Sequence, residues 1–133
     1  MDELERFPGK KKEVANLINY NILKFMKFQD ENQEIKKEFA RIQKQLFKGK
    51  GESACMAVAR FTGNIVASSN LKDILTYCNE HSIVYLTTMD FLCYAIKNAG
   101  WSALRCNAFI NAVLKAGSKL PVTKMEDYSC REF

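Results

Sequence analysis

Histidine is almost missing from this chain. His81 is the only one in 133 residues. It falls in a predicted helix-to-strand turn beside Glu80 and Ser82 and reads as a solvated loop residue. A serine or cysteine nucleophile would need it as a base, and nothing in the sequence points one at it. Long apolar runs are missing as well. The longest are a few residues, far short of the roughly 18 that suggest a membrane span. No apolar stretch follows the N-terminal charges, as a secretory leader would require. The expected address is the cytoplasm, with no membrane partner. Cysteine pairs at metal-binding spacing are also absent. The five cysteines stand at 55, 78, 93, 106 and 130, odd in number and without a CxxC. The first four fall on predicted helices among apolar neighbours, where Cys behaves as a small hydrophobe. Neither a disulfide framework nor a zinc site is expected, and the cysteines read as reduced core residues.

A phosphate-binding loop is excluded on similar grounds. Gly49-Lys50-Gly51-Glu52-Ser53 resembles a fragment of one, but the pattern GxxxxGK followed by Ser or Thr is not met. Glu52 would place a carboxylate where amide groups should attract phosphate.

What remains is a chain of ordinary globular composition, 47% hydrophobic and 26% charged, long enough for one domain with a real core. The net charge is +5 and unevenly placed, with 12 of the 20 Lys and Arg and 8 of the 15 Asp and Glu in residues 1–50. A basic end attracts nucleic acid or an acidic partner, although a solvated mixed-charge helical face explains it equally well.

Apolar periodicity predicts the elements. After Pro8-Gly9, one helical pattern carries Val14, Leu17, Ile18, Ile22, Phe25 and Met26. The polar break Gln29-Asp30-Glu31-Asn32 precedes a second with Ile35, Phe39, Ile42 and Leu46, leaving Lys36, Lys37, Arg41 and Lys44 largely on the wet face. A third helix begins near Glu52 and turns Ala54, Ala57, Val58 and Phe61 inward. Residues 64–68 and 82–87 are short β-prone runs. Between them lies a helix with Leu71, Ile74, Leu75 and Cys78 on its apolar face and Asn70 as its cap. Thr88 caps a helix burying Phe91, Leu92, Ala95 and Ile96, which stops at Gly100. A last helix from Ser102 buries Phe109, Ile110, Val113 and Leu114 and stops at Gly117, followed by an irregular tail. Strand, helix, strand, helix implies a right-handed unit with parallel strands. The fold class is α/β: a small parallel sheet flanked by helices.

In parallel α/β folds the carboxyl ends of the strands form the binding crevice. Ser68, Ser69, Asn70, Asp73, Thr87, Thr88 and Asp90 belong to that rim, and Glu52 opens the helix before the first strand. Such oxygen ligands suit a hard divalent ion such as magnesium. Helix capping explains Glu52 and Asp90 equally well and explains Asp73 better, because Asp73 follows Asn70 at capping-box spacing.

Three stretches, Gly51-Glu52-Ser53-Ala54, residues 65–73 (IVASSNLKD) and residues 84–92 (VYLTTMDFL), together with the element order, resemble the later part of a PIN domain. The resemblance covers about residues 1–121 and is specific over 49–100. It implies an α/β nuclease-like fold that clusters acids around magnesium or manganese. Residue by residue, it puts Glu3 of the Glu3-Leu4 pair and Glu52 on the family's second and third acids, with Asp90 as a nearby fourth candidate. Where the family has an acid after a strand, this chain has Ser69 and Asn70. The family's first strand, with its essential Asp, has no counterpart after Met1, so the resemblance implies an N-terminally truncated, PIN-like domain over residues 1–128. It comprises two N-terminal helices over 11–47, a helix and βαβα core over 52–116, and a tail at 129–133.

Two functions follow from this resemblance. One is a degenerate PIN-like module that binds a protein or nucleic acid without hydrolysis. The other is a metal-dependent, toxin-like endoribonuclease. In that case Glu3, Glu52 and Asp90 would hold magnesium or manganese and be the catalytic residues, and Lys36, Lys37, Arg41 and Lys44 would contact RNA phosphates. Losing one ligand Asp and replacing another acid with Asn favours the first. The apolar strands 65–67 and 83–86 read as covered on both faces, as the strands of a parallel sheet are. Two strands alone leave unpaired edges, so a homodimer is expected.

Overall fold

The computed structural model describes residues 2–28, 32–46 and 49–132, apart from the side chains of Asp2 and Glu3. The chain forms two compact units, residues 1–33 and 34–133. Each is described by itself.

The first unit contains a short 3-10 helix, Asp2–Arg6, and helix α1, Pro8–Asn19. Proline opens α1 because its fixed φ suits the first turn and its missing N–H has no helical partner to lose. Lys11 pairs with Glu5 across the junction. The helix ends earlier than its apolar period predicts. Asn21 adopts a left-handed φ of 58°, and the Ile22 amide returns to the Leu17 carbonyl at 2.9 Å. That turn breaks the pattern, so Ile22, Phe25 and Met26 lie outside any helix and are exposed. No residue of α1 is buried. Of the expected polar break, residues 29–31 lie outside the described residues.

The second unit carries the core. Helix α2, Gln33–Leu46, buries Ile35 and Ile42. Helix α3, Lys50–Thr62, starts at Gly49 and ends at Gly63, whose φ of 72° provides the left-handed stop. Strand β1, Val66–Ala67, is followed by helix α4, Leu71–Glu80, strand β2, Tyr85–Leu86, and helix α5, Thr88–Asn98. The strands pair in parallel, Val66 opposite Tyr85 and Ala67 opposite Leu86. This is the expected strand–helix–strand–helix order, and the unit is α/β with a two-stranded sheet. Helix α6, Ala103–Lys115, is capped by the Ser102 hydroxyl, which accepts from the Arg105 amide at 3.1 Å.

Three expectations about packing are corrected. First, the strands are not covered on both faces. Val66 and Ile83 are buried, whereas Ile65 and Val84 are 56% and 48% exposed. Burial alternates at β1, where Val66 is buried and Ala67 exposed, whereas both residues of β2 are half-buried. Second, several helices present a different stripe to the core. Helix α3 buries Ser53, Met56, Ala57 and Ala59 and exposes Phe61; α5 buries Met89, Leu92 and Cys93 and exposes Phe91 and Ile96. Leu46, Leu71 and Phe109 are exposed as well. Both helices carry apolar residues on more than one face, and the position of the neighbouring elements selects one of them.

Third, the C-terminal segment is built into the fold. Leu120, Val122 and Tyr128 pack on a core of Met89, Leu92, Cys93, Cys106, Ile110 and Met125. Asn107 clamps this return: its Oδ1 accepts from the Met125 amide at 2.7 Å, and its Nδ2 donates to both Glu126 carboxylate oxygens at 3.1 Å. The segment then brings Cys130 to Cys93, and the two form a disulfide with Cα atoms 6.0 Å apart. The expectation of wholly reduced cysteines is thereby overturned for this pair. Cys78 and Cys106 are buried thiols, and Cys55 is an exposed one. Among the described residues, no helix is long and apolar enough to cross a membrane.

Ser53 is fully buried, and its hydroxyl has no hydrogen-bond partner among the described residues. A buried polar atom left unpaired costs on the order of 1 kcal/mol or more. Ser53→Ala should therefore raise stability by about 1 kcal/mol in urea unfolding, since Ala is also the better helix former.

Candidate functional site at the strand ends

The carboxyl ends of β1 and β2 are joined by side chains. Ser69 and Thr88 share a hydroxyl–hydroxyl hydrogen bond at 2.7 Å, and the Thr88 amide donates to Ser69 Oγ at 3.1 Å. Asn70 follows, its amide donating to Ser68 Oγ at 3.1 Å. Its Nδ2 donates to Asp73 Oδ2 at 2.7 Å and to Glu52 Oε1 at 3.4 Å. One side-chain amide thus holds two carboxylates at the end of β1.

Glu52 reaches this place from the first turn of α3. Its other oxygen curls back over Gly49, where an added Cβ would lie only 2.6 Å from it. Glycine at the cap leaves the room this requires. Asp73 does not complete the expected capping box: the Asn70 side chain caps no amide, and it donates to the Asp73 carboxylate instead. The capping box forms one helix later and one residue earlier than expected, with Thr87 rather than Thr88 as the cap of α5 and Asp90 as its partner.

Asp90 is buried at 5% exposure, and its carboxylate is fully engaged. It accepts from the Thr87 amide at 2.8 Å, from Arg131 Nη2 at 2.6 Å and from Arg131 Nε at 3.1 Å. Burial pushes its pKa up, but the hydrogen bonds and charge of Arg131, with those of Thr87, outweigh it and hold the carboxyl below the usual range. Arg131 is positioned in turn by the Tyr85 carbonyl, to which Nη2 donates at 2.8 Å, and by the Tyr85 ring, 4.3 Å from its guanidinium. A guanidinium from the C-terminal segment therefore occupies the acid at the end of β2. No local signal in the sequence points to this pair, 41 residues apart.

The candidate acids that are described have different partners. The side chain of Glu3 lies outside the described residues. Glu52 and Asp73 converge on an amide donor, and Asp90 is neutralised by Arg131. Among the described residues, no three His, Cys, Asp or Glu side chains come together as a metal-holding group.

The basic row is also broken. Lys37 and Lys44 are exposed and Lys36 is half-buried. Arg41 turns to Glu38, donating from Nε at 3.0 and 3.1 Å and from Nη2 at 2.5 Å. Glu38 is buried and needs this partner. It also accepts from Arg60 at 2.8 Å and from the Tyr77 hydroxyl at 2.7 Å, which joins α2, α3 and α4 in one network. The Arg41 hydrogen bonds, opposed by burial and aided by Tyr77 and Arg60, lower the Glu38 pKa to about 2. Burial and the Glu38 hydrogen bond push Tyr77 up to about 12. The i, i+3 spacing of Glu38 and Arg41 was the available signal for this pair. No protein-family model, curated protein or solved structure matches this chain.

Proposed function

We propose that this chain is a PIN-like module of the cytoplasm that associates without hydrolysing nucleic acid, its first partner being a second copy of itself. The observation that carries the reading is the occupation of Asp90 by Arg131, because a carboxylate paired at 2.6 Å with a guanidinium must break that pair before it can ligate a metal. Exposed apolar residues beside the sheet support self-association. Ile65 and Val84 stand exposed immediately before the two paired strands, and a two-stranded sheet leaves outer strand edges for another chain. A symmetric dimer is the commonest closure of such a surface. Lys37 and Lys44 add a solvated positive face, which would give salt-sensitive attraction to RNA or to an acidic protein.

The second reading, a toxin-like endoribonuclease using magnesium or manganese, draws on one observation. Glu52 and Asp73 meet at the end of β1, where a PIN-type site would lie. It requires Asp90 or Glu3 to join them.

Sedimentation or light scattering at micromolar concentration tests the first reading. The expected species has twice the 15.2 kDa of one chain, and Val84→Glu at this surface should return it to the monomer. A clean 15.2 kDa species from the unaltered protein would rule self-association out.

A further inference from the structure

The Cys93–Cys130 disulfide is not a buried staple. Cys93 is buried in α5, but Cys130 is exposed. Both line an open cavity of about 650 Å³ shared with Phe91, Tyr94, Asp90 and Arg131. The bond therefore sits within reach of a small thiol, next to the ion pair that covers Asp90. Access of this kind separates exchangeable disulfides from inert ones.

The anchoring of the segment divides at Tyr128. Upstream, Met125 is buried and held by Asn107, and Tyr128 packs on the α5–α6 core. These contacts need no disulfide. Downstream, the fastenings include the disulfide at Cys130 and the Arg131 contacts with Asp90 and Tyr85. The Arg131 side chain is 33% exposed, so water competes for its hydrogen bonds. The covalent bond one residue away keeps the guanidinium at high effective concentration beside Asp90. Without it the covalent hold on this end is lost, and Tyr128 is the packed residue three positions upstream of Arg131.

We propose that the Cys93–Cys130 disulfide is a thiol-exchange site whose reduction by a dithiol releases residues 129–132 from the end of β2 and uncovers the Asp90 carboxylate. The exchange starts with a thiolate of the dithiol attacking Cys130 Sγ. The protein S–S bond breaks, a mixed disulfide forms, and the Cys93 sulfur leaves with the bonding pair and takes a proton from solvent. The second thiol of the reductant then attacks its own sulfur in the mixed disulfide, closes the reductant's disulfide and expels Cys130 as a thiolate. Two electrons pass from the dithiol to the protein. The segment up to Tyr128 stays docked, and Arg131 leaves with the freed end. Asp90 remains the cap partner of Thr87 and gains water where the guanidinium stood. The inference does not depend on self-association, and it limits the Asp90 occupation on which the proposed function rests to the disulfide-bonded form.

Carbodiimide coupling of carboxyl groups with an amine, mapped by mass spectrometry on the full chain, tests the proposal. The exposed Asp127 serves as the internal reference. Three samples are compared: protein equilibrated with oxidised glutathione, protein reduced with dithiothreitol and then alkylated and desalted, and the variant Cys130→Ser. Labelling of Asp90 relative to Asp127 should rise about tenfold or more in the second and third samples, as expected when a local closure held by a cross-link is lost. Equal Asp90 labelling in all three would overturn the proposal. So would recovery of both Cys93 and Cys130 as thiols from the oxidised sample.

Discussion

Acidification should destabilise this protein through Glu38, with stability falling as pH drops from about 4.5 towards 2. In the unfolded chain the carboxyl titrates near 4.5, and in the folded protein its pKa is lowered to about 2. The unfolded state therefore binds the proton first as pH falls. The contribution is complete above the unfolded value and is lost as pH approaches the folded one. A gap of that size corresponds to about 3 kcal/mol at neutral pH, since each pKa unit is worth roughly 1.4 kcal/mol. Urea unfolding of the wild type at pH 7 and pH 3 should show most of this loss. Glu38→Gln should flatten the profile between those values, and at pH 7 should destabilise by about 2–4 kcal/mol, because Arg41 and Arg60 lose the buried charge they pair with and an amide N–H₂ replaces the second acceptor oxygen. Arg41→Ala and Arg60→Ala should each cost less than Glu38→Gln, since either leaves Glu38 with one guanidinium. A wild-type profile that stays flat down to pH 3 would contradict this view of the network.

Removing Asp90 should be the next most damaging change to a polar side chain. Asp90→Ala deletes the reciprocal half of the α5 capping box and the acceptor that holds Arg131. A cap is worth about 1 kcal/mol, and a buried charge-assisted pair adds a further 1–2 kcal/mol. The expected loss is about 2–3 kcal/mol in urea unfolding. Arg131→Ala should cost about 1–2 kcal/mol, because Asp90 keeps its Thr87 hydrogen bonds and takes up water. The order of the two variants matters more than either value. A larger loss for Arg131→Ala would mean that Asp90 stays closed to water once its partner is gone.

The parts of this fold that were legible in sequence are those governed by neighbours along the chain. The runs at 64–68 and 82–87 are β-prone, Asn70 and Ser102 precede helices, and the helix between the runs requires the strands to lie parallel; β1 and β2 pair accordingly. What was hidden depends on distant partners. Two apolar stripes on α5 offer Met89, Leu92 and Cys93 or Phe91 and Ile96 to the core, and only the packing of α6 and the C-terminal segment selects the first. Arg41 has the spacing of a wet-face cation, yet a buried acid three residues earlier captures it. Cys130 and Arg131 carry no local signature because their partners lie 37 and 41 residues away. At the strand ends, the sequence identified the rim residues Ser69, Asn70, Asp73 and Thr88 but not what each would bond. The Asn70 amide and the Arg131 guanidinium now stand against the very carboxylates considered as metal ligands.

The central proposal is that these carboxylates serve structure rather than hydrolysis. Incubation of single-stranded RNA with the purified chain and manganese tests it most directly, with Glu52→Gln alongside. The account predicts no cleavage above that of the Glu52→Gln protein. Robust manganese-dependent cleavage by the wild type, abolished in Glu52→Gln, would contradict it.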